Sequence, residues 1–226
     1  MRLAEEFLLL LRDDKGALSL APKWLVRYAL GGAVLMDLAL EHRIDTDTQR
    51  LFVIDSKPVD DSLLDPILAE IVKSERPHDA LYWLEHATHH ADEIQETALA
   101  RLIDNQILEL SDDRILWIFG SRHYLLQEEN VENELIQRIK LALVPDSIPD
   151  PRDTMIVTLA DGCGLLANIL SSDEMAVAKE QIEFLWKVEL FGRVFLEALD
   201  LAVQPAAGKL DGGSMVSQSD PGKSQR

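Results

Sequence analysis

Two apolar blocks near the start constrain the fold of this chain more than any other feature. The first runs from Leu3 to Leu11, with Glu5 and Glu6 inside it, and is far shorter than the roughly 20 apolar residues a membrane-crossing helix needs. It is read as a buried helix. The second runs from Ala29 to Ile44; Gly31 and Gly32 lie at its start, where close packing is the expected reason for small residues. Glu41-His42-Arg43 gives it an abrupt polar stop.

Helical patterning continues along the chain and is punctuated clearly. Asp61-Ser62 is expected to cap a helix from Leu63 to Val72, with Pro66 at a tolerated first-turn position, and Asp79 to open the next. Val131 to Leu143 is amphipathic and stops before Pro145. Two long helices are expected over Thr154–Leu170 and Asp173–Val203, separated from the preceding one by a hinge-like loop from Pro145 to Pro151. Two short strand units break this pattern. Arg50 to Ile54 reads as a strand after the helix ending at Ile44; Glu109-Leu110, a turn at Ser111-Asp112-Asp113 and a strand from Arg114 to Phe119 repeat the arrangement after Leu108.

At 226 residues and 47% hydrophobic, the chain can build one sizeable core and does not require two domains. The fold class is therefore mainly α: a single-domain helical bundle over residues 1–204, with short peripheral β-hairpins. From Pro205 to Arg226 glycine and serine replace the large apolar residues, and a disordered tail is expected because too little surface can be buried to offset ordering. The chain has no run of 18 apolar residues and no basic, apolar and small-residue leader, so a cytoplasmic location is expected. One cysteine, Cys163, rules out an internal disulfide framework and is read as a small packed residue.

Charge separates the possible functions. With 22 Lys and Arg against 40 Asp and Glu the net charge is −18, and no basic stripe is available for nucleic acid. A winged-helix DNA reader, which the helix-strand-turn-strand pattern superficially permits, is opposed by Asp104, Glu109, Asp112 and Asp113. The same field repels anionic membranes, so a lipid contact would need a local basic pocket or an inserted apolar element. His86 and His90 stand four residues apart, a spacing that can chelate zinc, with His89, Glu85 and Asp92 nearby. The zinc-protease pattern fails at Ala87 and no distant third ligand is evident, so a solvated helix face and no metal are expected. No nucleophile elbow, phosphate-cradling glycine loop or dinucleotide fingerprint is present; neither a catalytic residue nor a cofactor is expected.

The order of several blocks resembles the Golgi phosphoprotein 3 family, in particular its short prokaryotic members. These are the two apolar blocks, Asp61-Ser62-Leu63-Leu64-Asp65-Pro66-Ile67-Leu68, Tyr82-Trp83-Leu84-Glu85, Leu102 to Leu108 and Asp150-Pro151-Arg152, together spanning about residues 2 to 200. Eukaryotic members are peripheral membrane proteins that bind phosphatidylinositol 4-phosphate and retain glycosyltransferases. The resemblance implies a headgroup site using a tryptophan and arginines, for which Trp24, Arg27 and Arg101 are the candidates, because a phosphate monoester needs charge-assisted donors. At three positions where it would place arginines the chain has Gly31, Asp92 and Gln95, while Lys23 lies close by in sequence. It also implies a hydrophobic hairpin, with Leu116 on one face and Trp117 and Phe119 on the other, suited to a membrane or partner. The expected function is thus a phosphoinositide-binding peripheral membrane or adaptor-like protein that also contacts tails of membrane proteins. The alternative is a soluble interaction module without lipid affinity, whose hairpin mediates self-association into a homo-oligomer.

Overall fold

The computed structural model describes residues 1–47, 49–111 and 122–203. Within them the protein is mainly helical, with two small antiparallel strand pairs. In chain order the elements are α1 (Leu3–Leu10), α2 (Lys23–Leu40), β1 (Ile44–Thr46), β2 (Leu51–Val53), α3 (Asp65–Lys73), α4 (Ala80–Thr88) and α5 (Ala91–Asp104). They continue with β3 (Leu108–Leu110), β4 (Tyr124–Leu126), α6 (Glu129–Ala142), α7 (Pro151–Gly162), α8 (Leu166–Ile169), α9 (Ser172–Val188) and α10 (Leu190–Val203). The described helices form one connected set of packing contacts, and Gln204 with the tail expected from Pro205 lies outside the described residues.

Both apolar blocks form the centre. Every residue of α1 is buried, and α2 buries an unbroken run from Ala29 to Leu38, so each helix is surrounded on all sides. Helices α1, α4, α5, α7 and α10 pack around α2. Gly31 explains the closest of these approaches, since a Cβ there would lie 3.1 Å from Ala87 Cβ on α4 and 3.3 Å from its backbone. A core this continuous supplies the main favourable free energy, because apolar surface removed from water stabilises by roughly 25 cal/mol per Å².

The helix-to-strand junctions are built twice by the same device. At the end of α2, His42 takes φ 54°, and the Arg43 amide donates to the Leu38 carbonyl at 2.9 Å. After α5, Gln106 takes φ 59°, and the Ile107 amide donates to the Leu102 carbonyl at 2.9 Å. Each is a left-handed helix stop that satisfies carbonyls otherwise orphaned and turns the chain directly into a strand. The helix-to-strand unit expected from sequence occurs twice, but both helices stop earlier than expected, at Leu40 and Asp104, and Ile44 and Leu108 begin strands instead of ending helices. Leu108–Leu110 pairs with Tyr124–Leu126, in the register Leu108↔Leu126 and Leu110↔Tyr124, while the strand expected from Arg114 to Phe119 lies outside the described residues. Tyr124 is anchored twice: its ring is buried and its amide donates to the Gly16 carbonyl at 2.8 Å. The segment 112–121, with Leu116, Trp117 and Phe119, lies outside the described residues.

Gly16 is the one glycine of this loop whose backbone excludes a side chain outright. It has φ +83°, and a Cβ would lie 2.5 Å from the Tyr124 carbonyl oxygen. Gly16→Ala is expected to cost at least about 2 kcal/mol, from the left-handed conformation and the displaced carbonyl. Urea unfolding that leaves the midpoint unchanged would show that the loop moves away freely.

Three other expectations are adjusted. The first helix after Asp61 starts at Asp65, because the carboxylate of Asp61 accepts from the Leu63 amide at 2.9 Å and holds the preceding turn outside the helix. The helix expected to reach Leu170 stops at Gly162, where Gly164 takes φ +71° and closes another left-handed stop. The last long helix is two helices. Glu189 adopts an extended conformation, and its buried carboxylate accepts from the amides of Phe191, at 3.0 Å, and Gly192, capping α10 from within the chain.

Candidate functional site

A groove lies between the start of α2, next to Trp24 in sequence, α5 and the β3–β4 pair. Its volume is about 700 Å³, and Lys23, Gln95, Glu96, Leu99, Arg122 and Tyr124 are among its lining residues. Lys23 and Trp24 form the first turn of α2, ahead of the buried stripe that begins at Leu25, which leaves both side chains in solvent. Trp24 remains 41% exposed and meets Tyr28 edge-on at 6.4 Å. Among the described residues neither Lys23 nor Arg122 forms an ion pair.

Arg27 is committed elsewhere. Its guanidinium donates to Asp92 Oδ1 and to the Thr88 carbonyl, both at 2.8 Å, tying α2 to the junction of α4 and α5. Asp92 and Gln95, two of the positions where the resemblance places arginines, therefore sit beside Arg27 and in the groove respectively. Arg101 is not brought together with Trp24 and Arg27. It lies nine residues beyond Asp92 on α5, about 13 Å along the helix axis, and binds Glu5 at 3.2 Å and Asp61 at 2.8 Å.

Those contacts belong to a buried charge network that the sequence reading did not find. Glu5 and Glu6 on α1 and Asp37 on α2 are all at most 2% exposed. Glu6 binds Arg138 at 2.9 Å and Arg152 at 3.3 Å; Arg152 also reaches Asp37 Oδ1 at 3.2 Å and donates to the Met1 carbonyl at 2.6 Å. Asp37 Oδ2 accepts from the Leu3 amide at 2.7 Å, so the carboxylate of α2 caps α1. Burial pushes the Asp37 carboxyl up to about 6 even though Arg152 and the Leu3 amide oppose it. Burial works the same way on Asp61 but is outweighed by hydrogen bonds from Arg2 and the Leu63 amide, and its carboxyl lies below the ordinary value. Arg2 closes the network by binding Asp61 and Glu41. The signal available in sequence was the presence of carboxylates inside apolar runs, since such a group must find a partner or become neutral.

The histidines divide. His86 and His90 both face Glu70 of α3, His89 is exposed, and Asp92 is taken by Arg27. Cys163 is buried, and burial pushes its thiol up to about 12, which fits a packed residue and not a nucleophile. No helix among the described residues is long and apolar enough to cross a membrane.

The family model of Golgi phosphoprotein 3 (GPP34) matches residues 3–204. The chain belongs to the Golgi phosphoprotein 3 family. No curated protein matches it significantly. Within this Golgi phosphoprotein 3 domain, the blocks that carried the resemblance have defined places. Asp61 and Arg152 belong to the buried network, Leu102 to Leu108 contains the second left-handed stop, and Trp83 packs under the histidines.

Proposed function

We propose that this Golgi phosphoprotein 3 domain is a binding protein, not an enzyme, that takes a phosphorylated lipid headgroup in the groove beside Trp24. Phosphatidylinositol 4-phosphate is the leading ligand. The observation that supports this is the pair Lys23 and Arg122, cations lining one groove and left without carboxylate partners among the described residues. In a chain of net charge −18, cations left unpaired can serve an anionic ligand that the global field would otherwise repel. Trp24 has the exposed aromatic surface that suits a membrane interface. Contact with tails of membrane proteins fits the same peripheral position.

Liposome flotation tests the proposal with neutral, generally anionic and phosphatidylinositol 4-phosphate membranes. The parent is expected to float with the phosphoinositide. The Lys23→Ala/Arg122→Ala double variant should bind roughly tenfold more weakly or worse, because two charge-assisted contacts are removed. Equal recovery of parent and double variant would exclude the groove. No recovery on any membrane would favour the soluble interaction module, which the acidic charge and the Arg27–Asp92 pair support.

A further inference from the structure

We infer that Glu70, His86 and His90 form a binding site for a divalent transition-metal ion, of which zinc is the representative. The three residues come from different parts of one junction: Glu70 from α3, His86 from the last turn of α4, and His90 from the residue that precedes α5. Their ligand atoms all lie within 4.8 Å of one another. A single oxygen is the focus of the cluster, with Glu70 Oε2 2.5 Å from His86 Nε2 and 3.3 Å from His90 Nε2. Glu70 is thus the third ligand, 16 residues before His86, that the local histidine spacing could not reveal.

Two imidazoles and one carboxylate are a donor set that borderline divalent ions favour, and that leaves a coordination position for water. Bonds of about 2.0–2.2 Å from a tetrahedral ion separate its ligands by about 3.3–3.5 Å. The ion would replace the His86–Glu70 hydrogen bond and move the glutamate oxygen by about 1 Å, a small change for a side chain that is 37% exposed. The rings are held for this role. His86 packs edge-on against buried Trp83 at 5.4 Å, and Tyr82 lies nearly parallel to it at 6.1 Å. His90 turns its other nitrogen toward Glu93, at 3.6 Å, an outer-sphere carboxylate of the kind that orients ligating histidines. The helices beneath are anchored by Ile67, Leu68 and Ile71 on one side and Leu84 and Ala87 on the other. The site is therefore set on packed elements while its ligands remain open to solvent.

Isothermal titration of the full chain with zinc chloride tests the assignment, after removal of adventitious metal with a chelator. One equivalent is expected for the parent, with binding lost as pH falls and the imidazoles take up protons. His86→Asn, His90→Asn and Glu70→Gln should each abolish it, while His42→Asn, at an exposed position with φ 54°, should leave it intact. The conservative Glu70→Gln variant separates ligand loss from unfolding, because its melt without metal should match the parent. Absence of a stoichiometric zinc event in the parent would overturn the site, as would undiminished binding in folded Glu70→Gln together with either histidine variant.

Discussion

Replacing Arg152 by alanine is expected to destabilise the protein by about 3–5 kcal/mol near neutral pH, the range typical of removing one partner from a buried ion pair. Arg152 serves two carboxylates through its two terminal nitrogens, Glu6 at 3.3 Å and Asp37 at 3.2 Å. Glu6 would keep Arg138 and Asp37 would keep the Leu3 amide, but each would remain buried with part of its charge uncompensated. Glu6 Oε2 already finds no partner among the described residues, so the network has no spare donor to offer. The guanidinium side chain is itself 25% exposed, which places the expected loss toward the lower end of that range. Urea unfolding measures it. In the Asp37→Asn background the same substitution should cost at least about 1 kcal/mol less, the coupling expected of residues sharing one network. A loss below about 1 kcal/mol in the parent would mean that water substitutes for the arginine.

The stability of the protein is expected to depend on pH through Asp37 in a sense opposite to that of an ordinary paired carboxylate. Burial raises its carboxyl from 3.8 to about 6 in the folded state. The folded form therefore holds the proton more tightly than the unfolded form, and the stabilising term is complete below 3.8 and lost as pH rises through about 6. The whole span corresponds to about 3 kcal/mol, of which about 2 kcal/mol falls between about pH 4.5 and 8. Asp161 and Glu189 are raised by burial as well, so the parent curve alone cannot assign the effect. The difference between parent and Asp37→Asn isolates it. The variant should gain about 2 kcal/mol relative to the parent over that interval. A difference that stays constant with pH would show that Asp37 keeps its ordinary affinity for protons.

These two predictions concern residues whose significance was only half visible in the sequence. Glu5, Glu6 and Asp37 stand out as carboxylates among leucines, which announces a buried charge but not its partner. Their arginines, at positions 101, 138 and 152, are 96 to 146 residues away from the acids they meet. Asp150-Pro151-Arg152 was legible as a helix start, since Asp150 accepts from the Arg152 amide at 2.9 Å and Pro151 follows it. That the Arg152 side chain turns inward under α1 was not.

The candidate sites show the same division. Trp24 was legible only through the family resemblance, and the structure leaves it exposed beside Lys23 in the first turn of α2. Arg27 looked equally available, yet the carbonyl of Thr88 and the carboxylate of Asp92 take its donors. The histidine pair was readable from its spacing, and its third ligand was not, because Glu70 belongs to another helix with no sequence relation to the pair. In the second strand pair, Leu108–Leu110 meets Tyr124–Leu126, whose Tyr124 amide is accepted by the Gly16 carbonyl 108 residues earlier, a contact that no local pattern announces.

The sequence by itself determined the helical class, the central position of the two apolar blocks, the capping of α4 by Asp79 and the family. These follow from periodicity, local hydrogen bonding and block order, which act within a few turns of chain. Tertiary structure decided which arginine neutralises which buried acid, which strand closes the second pair and where long apolar stretches break into separate helices. Partner choice of this kind depends on groups brought together from distant positions, where the cost of burying an unpaired charge or amide selects one arrangement among several that local pattern allows.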